Sequence, residues 1–318
     1  MNLQIVDAAQ VASLLPMSEC IDAMAMAMSA VSRGSLSMPA RLIMPLVDES
    51  GYFAVMPGSL ASPKVYGAKI VSLNPANPAK GRPAIQGFVA LFDHDTGRPV
   101  ALLDGAAITA LRTAAASGLA TRLLARHDAA TLGLFGCGVQ ATSHLEAICA
   151  VREIREVRVF GRSQDKARAF ARANAGNTPA SIVAVADPRH AAECDVVCTI
   201  TDAKEPILLG EWMRPGAHVN LVGAHTPTAR EADTALIARG RVYVDSLAAA
   251  WREAGDLLSP FNEGVIDRRH VVGEIGNVLL GDIGGRTSVD DITVYKSLGV
   301  IAQDLVAAHT AYRNLLSR

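Results

Sequence analysis

Six lysines are spread over 318 residues, and one of them, Lys69, lies in Val65-Tyr-Gly-Ala-Lys69-Ile-Val-Ser-Leu73, a strand-like run apolar on both faces. On a period of two it shares a face with Val65, Gly67, Val71 and Leu73. Desolvation there lowers an ammonium pKa and makes the group a usable acid or base, unless the side chain reaches the sheet edge to stay wet. Arg112, in Ile108-Thr-Ala-Leu-Arg112-Thr-Ala-Ala-Ala, has Ile108, Ala115 and Ala116 as its helical-spacing neighbours. A guanidinium cannot shed its charge, so burial there demands an anion. Arg41, in Met38-Pro-Ala-Arg41-Leu-Ile-Met44-Pro45, sits in a similar apolar run. Two arginines so placed could clamp one carboxylate; either alone could equally be half of a structural ion pair. His225, in Val222-Gly-Ala-His225-Thr-Pro227, follows a predicted strand. It is a candidate general acid, base or orienting group, or else a plain loop histidine.

A second constellation is glycine-based. Thr131-Leu-Gly-Leu-Phe-Gly136-Cys-Gly138-Val-Gln-Ala141 fits G-x-G-x-x-A, with a strand before it and a helix after. Gly136 would make the tight turn, Gly138 would let the backbone approach a pyrophosphate, and Ala141 would pack closely. The diphosphate would then rest on N–H groups at the helix start. The alternative is an ordinary strand-to-helix turn. About 20 residues on, an NAD site wants a carboxylate for the ribose 2′-hydroxyl. That place holds Phe160-Gly161-Arg162-Ser163 instead. Arg162 with Ser163 could grip a 2′-phosphate, which favours NADPH and leaves NADH possible. The bland reading of Arg162 is a solvated loop residue.

The elements that must position these groups fall into two kinds. Ile21, Met24, Ala25, Met28 and Val31 recur at helical spacing after Ser18, and Gly34 follows as a C-cap should. Extended runs then cover 40–46, 52–56, 65–73, 84–92 and 99–103, with Asp95-Thr96-Gly97 as a hairpin turn, which predicts an antiparallel or mixed sheet. An Ala-rich helix spans about 106–126. From about 130, strands at 131–135, 157–160, 181–186, 196–201, 219–222 and 242–244 alternate with helices, at about 139–151 and 164–173 among others. That rhythm predicts a parallel sheet covered by helices on both faces. Residues 291–318 read as helical again. The fold class is α/β, a Rossmann-type parallel-sheet domain plus a mixed α+β domain.

Composition narrows the function. Hydrophobic residues make up 50% and charged ones 19%, which excludes disorder and a disulfide-stapled miniprotein. Thirty basic residues against 31 acidic ones, with no polybasic run, argue against a nucleic-acid footprint. Five cysteines show no CxxC or Cys/His metal spacing, so they read as packed thiols and no metal is expected. No signal peptide and no 18-residue apolar run are found, so the expectation is a cytoplasmic protein with no membrane partner. A positive mean hydropathy hints at apolar surface hidden in an oligomer.

Met56-Pro-Gly-Ser59, Gly67-Ala-Lys69, Thr109-Ala-Leu-Arg112-Thr113-Ala114, Gly136-Cys-Gly-Val-Gln140-Ala141 and Val294-Tyr-Lys-Ser-Leu-Gly299 occur in an order that resembles the ornithine cyclodeaminase/mu-crystallin family. The resemblance covers nearly the whole chain. It implies a substrate and dimerisation domain at 1–117 completed by 296–318, a Rossmann domain at 118–295, an active site in the cleft, and a homodimer. It further implies that Lys69 is the catalytic lysine and that Arg41 and Arg112 clamp the substrate carboxylate with it. Gly136, Gly138, Val139, Gln140, Gly161, Arg162 and Ser163 would hold the dinucleotide. Thr199, Ile200 and Thr201 would line its nicotinamide half, with Val222 and Gly223 nearby. Cyclodeaminases carry an Asp where His225 stands here, and His-Thr-Pro loops resemble the imine-reductase branch. The expected activity is therefore NAD(P)H-dependent reduction of Δ1-pyrroline-2-carboxylate to L-proline and of Δ1-piperideine-2-carboxylate to L-pipecolate. Lys69, or His225 through water, would handle the proton. Ornithine cyclodeamination with recycled NAD, alanine dehydrogenation, and non-catalytic ligand binding of the mu-crystallin kind are the alternatives.

Overall fold

The computed structural model describes residues 3–318, the Pro78 side chain aside. The chain divides into two compact units, one running through Arg112 and including Val300–Arg318, the other Thr113–Gly299.

The first unit opens with β1 (Gln4–Val6), α1 (Ala8–Leu14) and α2 (Met17–Ser32); of the stripe expected from the sequence Ile21, Met24 and Met28 are buried and Ala25 and Val31 half-buried, and Met17 and Cys20 are buried as well. The helix stops before Gly34, which takes φ +63°, a left-handed value that glycine adopts without strain. There follow β2 (Leu36–Ser37), β3 (Leu42–Pro45), β4 (Tyr52–Ala61), β5 (Lys64–Leu73), β6 (Ile85–Phe92), β7 (Pro99–Asp104) and the start of α3 (Gly105–Leu124). The sheet order is β1-β7-β6-β5-β4-β2, with β3 also on β4. Every pair is antiparallel except β1 with β7, so the sheet is mixed, as expected. On β5 the residues Val65, Gly67, Lys69 and Val71 are buried, and their neighbours along the strand are less so.

The second unit alternates strands and helices. Its elements are β8 (Thr131–Phe135), α4 (Val139–Cys149), β9 (Glu156–Phe160), α5 (Gln164–Asn174), β10 (Ser181–Ala184), α6 (Pro188–Ala192), β11 (Val196–Thr199) and β12 (His218–Leu221). Then come α7 (Thr234–Arg239), β13 (Arg241–Val244), α8 (Leu247–Glu253), α9 (Gly255–Asn262), β14 (Val271–Glu274), α10 (Ile275–Leu280) and β15 (Thr293–Lys296). The eight strands are all parallel in the order β10-β9-β8-β11-β12-β15-β13-β14. Chain direction across the sheet reverses between β8 and β11, and such a switch point leaves a crevice at the strands' carboxyl ends.

One expectation is corrected here. Residues from 291 onward do not begin as helix, because Thr293–Lys296 is a strand lying between β12 and β13. Its β-branched and aromatic residues are buried on both faces, an environment that suits a central parallel strand and leaves no alternating pattern to read.

The helix that does end the chain, α11 (Ile301–Leu316), belongs to the first unit. It approaches β4 and β5 over paired glycines, Gly58 opposite Gly67. A Cβ on Gly58 would stand 2.8 Å from Ile301 Cγ2, and one on Gly67 would stand 3.2 Å from a Leu305 methyl. Two bare backbones therefore let the helix settle on the sheet, two residues from Lys69. Among the described residues no single helix is long and apolar enough to cross a membrane.

Candidate active site

Lys69 stands in the middle of β5, opposite Met56 on β4 and Val89 on β6, and is only 5% exposed. It does not reach the sheet edge. Its Nζ donates to Asp304 Oδ1 at 3.0 Å, and Arg112 Nε donates to the same oxygen at 3.0 Å. Arg112 Nη1 also donates to Gln303 Oε1 at 2.6 Å. Burial pushes the Lys69 ammonium down, Asp304 resists this, and the guanidiniums of Arg112 and Arg41 push it further, so its pKa falls to about 8. Burial alone would raise Asp304, yet Arg112 and Lys69 outweigh it and hold the carboxyl below its ordinary value. Arg41, half-buried just before β3, is thus electrostatically part of the same group. Two cations bind one carboxylate and a third acts on Lys69, which leaves the cluster positive and suited to an incoming anion.

Asp304 and Gln303 were not singled out in the sequence, although Ile301-Ala302-Gln303-Asp304-Leu305-Val306 sets them in the same kind of apolar run that drew attention to Lys69. Both are fully buried. Asp304 Oδ2 and Gln303 Nε2 have no hydrogen-bond partner among the described residues. A buried polar atom left so costs about 1–3 kcal/mol, which marks this cluster as more than a structural ion pair.

The glycine turn lies in the second unit. Gly136 has φ +116°, and a Cβ there would come within 2.9 Å of the Ile200 carbonyl oxygen, so the turn after β8 packs on the end of β11. Gly138 caps α4 without a side chain, and a Cβ added there would meet nothing within 4 Å. The first N–H groups of a helix lack internal partners. Here they open onto space, with Val139 exposed and Gln140 Oε1 buried and without a hydrogen-bond partner among the described residues. An anion such as a pyrophosphate fits that cradle. Past β9, Gly161 would bring a Cβ to 3.2 Å from Cys137 Sγ, Ser163 Oγ caps α5 by accepting from Lys166 N–H, and Arg162 is 92% exposed with Asp202 at 3.7 Å.

The loops after β11 and β12 converge on a residue that sequence reasoning passed over. Glu231, fully buried, accepts from Thr199 Oγ1 (2.8 Å), from Thr201 N–H (2.8 Å) and Oγ1 (2.7 Å), and from the N–H of Gly223 (2.7 Å). Burial raises its pKa, against the pull of Lys296 and these donors. Asp256 accepts from the Glu231 and Ala232 N–H groups and pairs with Lys296 Nζ at 2.8 Å. The hydroxyls of Thr199 and Thr201 are therefore spent on Glu231, and these residues offer a ligand their backbone and the Ile200 side chain. His225, on the next loop, is exposed and its Nδ1 lies 2.9 Å from the Gly223 carbonyl oxygen, to which it donates. Val222 is half-buried at the start of that loop.

Comparison with known proteins places the family. The model of the ornithine cyclodeaminase/mu-crystallin family matches residues 1–318. A Δ1-pyrroline-2-carboxylate reductase of Bacillus cereus is 35% identical over 317 residues, 99% of this chain and 97% of that one. Among solved structures, the Thermococcus litoralis Δ1-pyrroline-2-carboxylate reductase in complex with NADH and L-proline is similar with a TM-score of 0.95 and 35% identity, covering 99% of this chain and 98% of that chain. An archaeal alanine dehydrogenase dimer with bound NAD follows at TM-score 0.93 and 32% identity, covering 100% and 97%.

Proposed function

The chain belongs to the ornithine cyclodeaminase/mu-crystallin family, and on that premise we propose that it is an NAD(P)H-dependent reductase of cyclic imino acids. It takes Δ1-pyrroline-2-carboxylate, the substrate in the name of its Bacillus relative, to L-proline, and the six-membered Δ1-piperideine-2-carboxylate to L-pipecolate. The observation that carries this is the buried cluster in which Lys69 and Arg112 share one oxygen of Asp304, with the charge of Arg41 acting on Lys69 beside it. A solved relative that holds NADH and L-proline together supports it.

In this reading Arg41 and Arg112 receive the substrate carboxylate. Arg112 commits Nε and Nη1 to Asp304 and Gln303, which leaves Nη2 for the ligand. Lys69 gives its proton to the ring nitrogen, which makes the C=N carbon most electrophilic. With a pKa of about 8 it is charged at neutral pH yet parts with the proton readily. Once it has done so, two guanidiniums face two carboxylates, and the new positive charge on the ring is not opposed by a second ammonium. His225 is the weaker candidate for the acid, since its Nδ1 is engaged with the Gly223 carbonyl oxygen. The nicotinamide, when bound, supplies the hydride. Gly136, Gly138, Val139 and Gln140 would hold its pyrophosphate, Gly161, Arg162 and Ser163 its adenosine end, and Thr199, Ile200, Thr201, Val222 and Gly223 the nicotinamide half. Arg162, with no carboxylate beside Ser163 in the sequence, favours NADPH. Substrate positioning and dimerisation fall to the first unit and dinucleotide binding to the second.

Homodimerisation is supported by exposed Leu42, Ile43, Met44, Val47 and Tyr52 on and around the β3–β4 hairpin and by the dimeric alanine dehydrogenase relative. A reducing, cytoplasmic setting is supported by five cysteines among which no disulfide is formed. The test is to follow loss of NADPH and of NADH absorbance with Δ1-pyrroline-2-carboxylate and to identify L-proline as product. Ammonia released from ornithine without net cofactor change, or alanine-dependent NAD reduction in place of imine reduction, would replace this function with another.

A further inference from the structure

We propose that Asp304 is a positioning residue of this site, whose one oxygen Oδ1 both keeps Lys69 protonated in its buried strand and aims Arg112, so that proton donor and carboxylate receptor are set by a single side chain. The proposal rests on the imino-acid reading of the cluster. Three observations lead to it. Lys69 Nζ and Arg112 Nε reach the same oxygen at the same 3.0 Å, so neither cation can move without disturbing the other. Asp304 occupies the first turn of α11, the part of the helix that the Gly58–Gly67 pair admits onto β4 and β5. Its second oxygen is buried and has no hydrogen-bond partner among the described residues, so Oδ1 alone carries both cations.

Among the described residues the charged groups acting most on Lys69 are Asp304 from α11, Arg112 from α3 and Arg41 from the segment before β3, and of these Asp304 is the anion. Removing its charge leaves an ammonium buried beside two guanidiniums. A neutral Lys69 can no longer act as the acid at neutral pH. Gln303 does not substitute, because a neutral amide fixes Arg112 without compensating either cation.

The test reads Lys69 directly. With only six lysines in the chain, side-chain ¹³C/¹⁵N-labelled lysine signals can be titrated by NMR, and the Lys69→Arg spectrum identifies the relevant one. Lys69 is expected to titrate near 8 in the wild type. In Asp304→Asn it should titrate lower by about one to three pH units, the usual effect of losing an adjacent opposite charge. Arg112→Gln, which frees Asp304 to serve Lys69 alone, should move the titration upward, and it decides the matter if Asp304→Asn does not fold. An unshifted Lys69 in either variant that folds overturns the proposal. No substrate is needed, so a failure of the imino-acid reading would show separately, as absence of proline formation in a protein whose Lys69 still responds to Asp304.

Discussion

Lys69 carries a proton that its surroundings barely let it keep, and that balance has a kinetic consequence. In the proposed mechanism the protonated form is the donor, so kcat/KM for imine reduction should be level below neutral pH and fall as pH rises through about 8. A profile that stays flat to pH 10 would mean another group supplies the proton. Arg162, proposed for the adenosine end of the cofactor, is exposed, so Arg162→Ala should leave folding intact. It should weaken NADPH binding by about ten- to a hundredfold, as loss of charge-assisted hydrogen bonds does, and spare NADH. Equal effects on both cofactors, by fluorescence titration, would remove the phosphate-gripping role. Lys69 and Arg112 were legible in the sequence because charged residues in apolar runs demand an explanation. Their shared partner was not, since Asp304 lies 235 residues from Lys69 and only the docking of α11 brings it there. Glu231 was still less visible, because in Arg230-Glu231-Ala-Asp233 it has charged neighbours and no apolar run to set it apart.

Among elements, the turn between β8 and α4 separates what folding needs from what binding needs. Gly136 is required by its left-handed backbone and by the nearby Ile200 carbonyl, whereas nothing in the protein crowds Gly138. Gly138→Val should therefore leave the melting temperature within a degree or so of wild type, as for an exposed site away from packing. It should cost about a hundredfold in dinucleotide affinity by misplacing the pyrophosphate. A lower melting temperature with unchanged affinity would mark it as an ordinary turn glycine. The strand–turn–helix around it was readable from residues 131–149 because strand, glycines and helix each follow a local rule. Strand β15 was not. Four residues buried on both faces carry no alternation, and their place between β12 and β13 is a fact of the sheet, not of the segment.

For the whole molecule, the apolar β3–β4 hairpin predicts self-association. Leu42→Glu with Ile43→Lys, both on exposed positions, should convert a dimer of the 33.3 kDa chain to monomer in light scattering, with little change in secondary structure. An unchanged mass would move the interface elsewhere. The mixed and parallel sheets were each legible from rhythm, but the return of α11 to the first unit rested on family resemblance, since an amphipathic C-terminal helix does not announce which sheet it covers. The most direct measurement compares NADPH oxidation by Δ1-pyrroline-2-carboxylate in the wild type, Lys69→Ala and Arg112→Ala. Reduction to L-proline should be rapid in the wild type and slower by about 10² to 10⁴ in Lys69→Ala, with NADPH affinity retained. Arg112→Ala should raise KM most. Turnover unchanged in both variants would contradict the account.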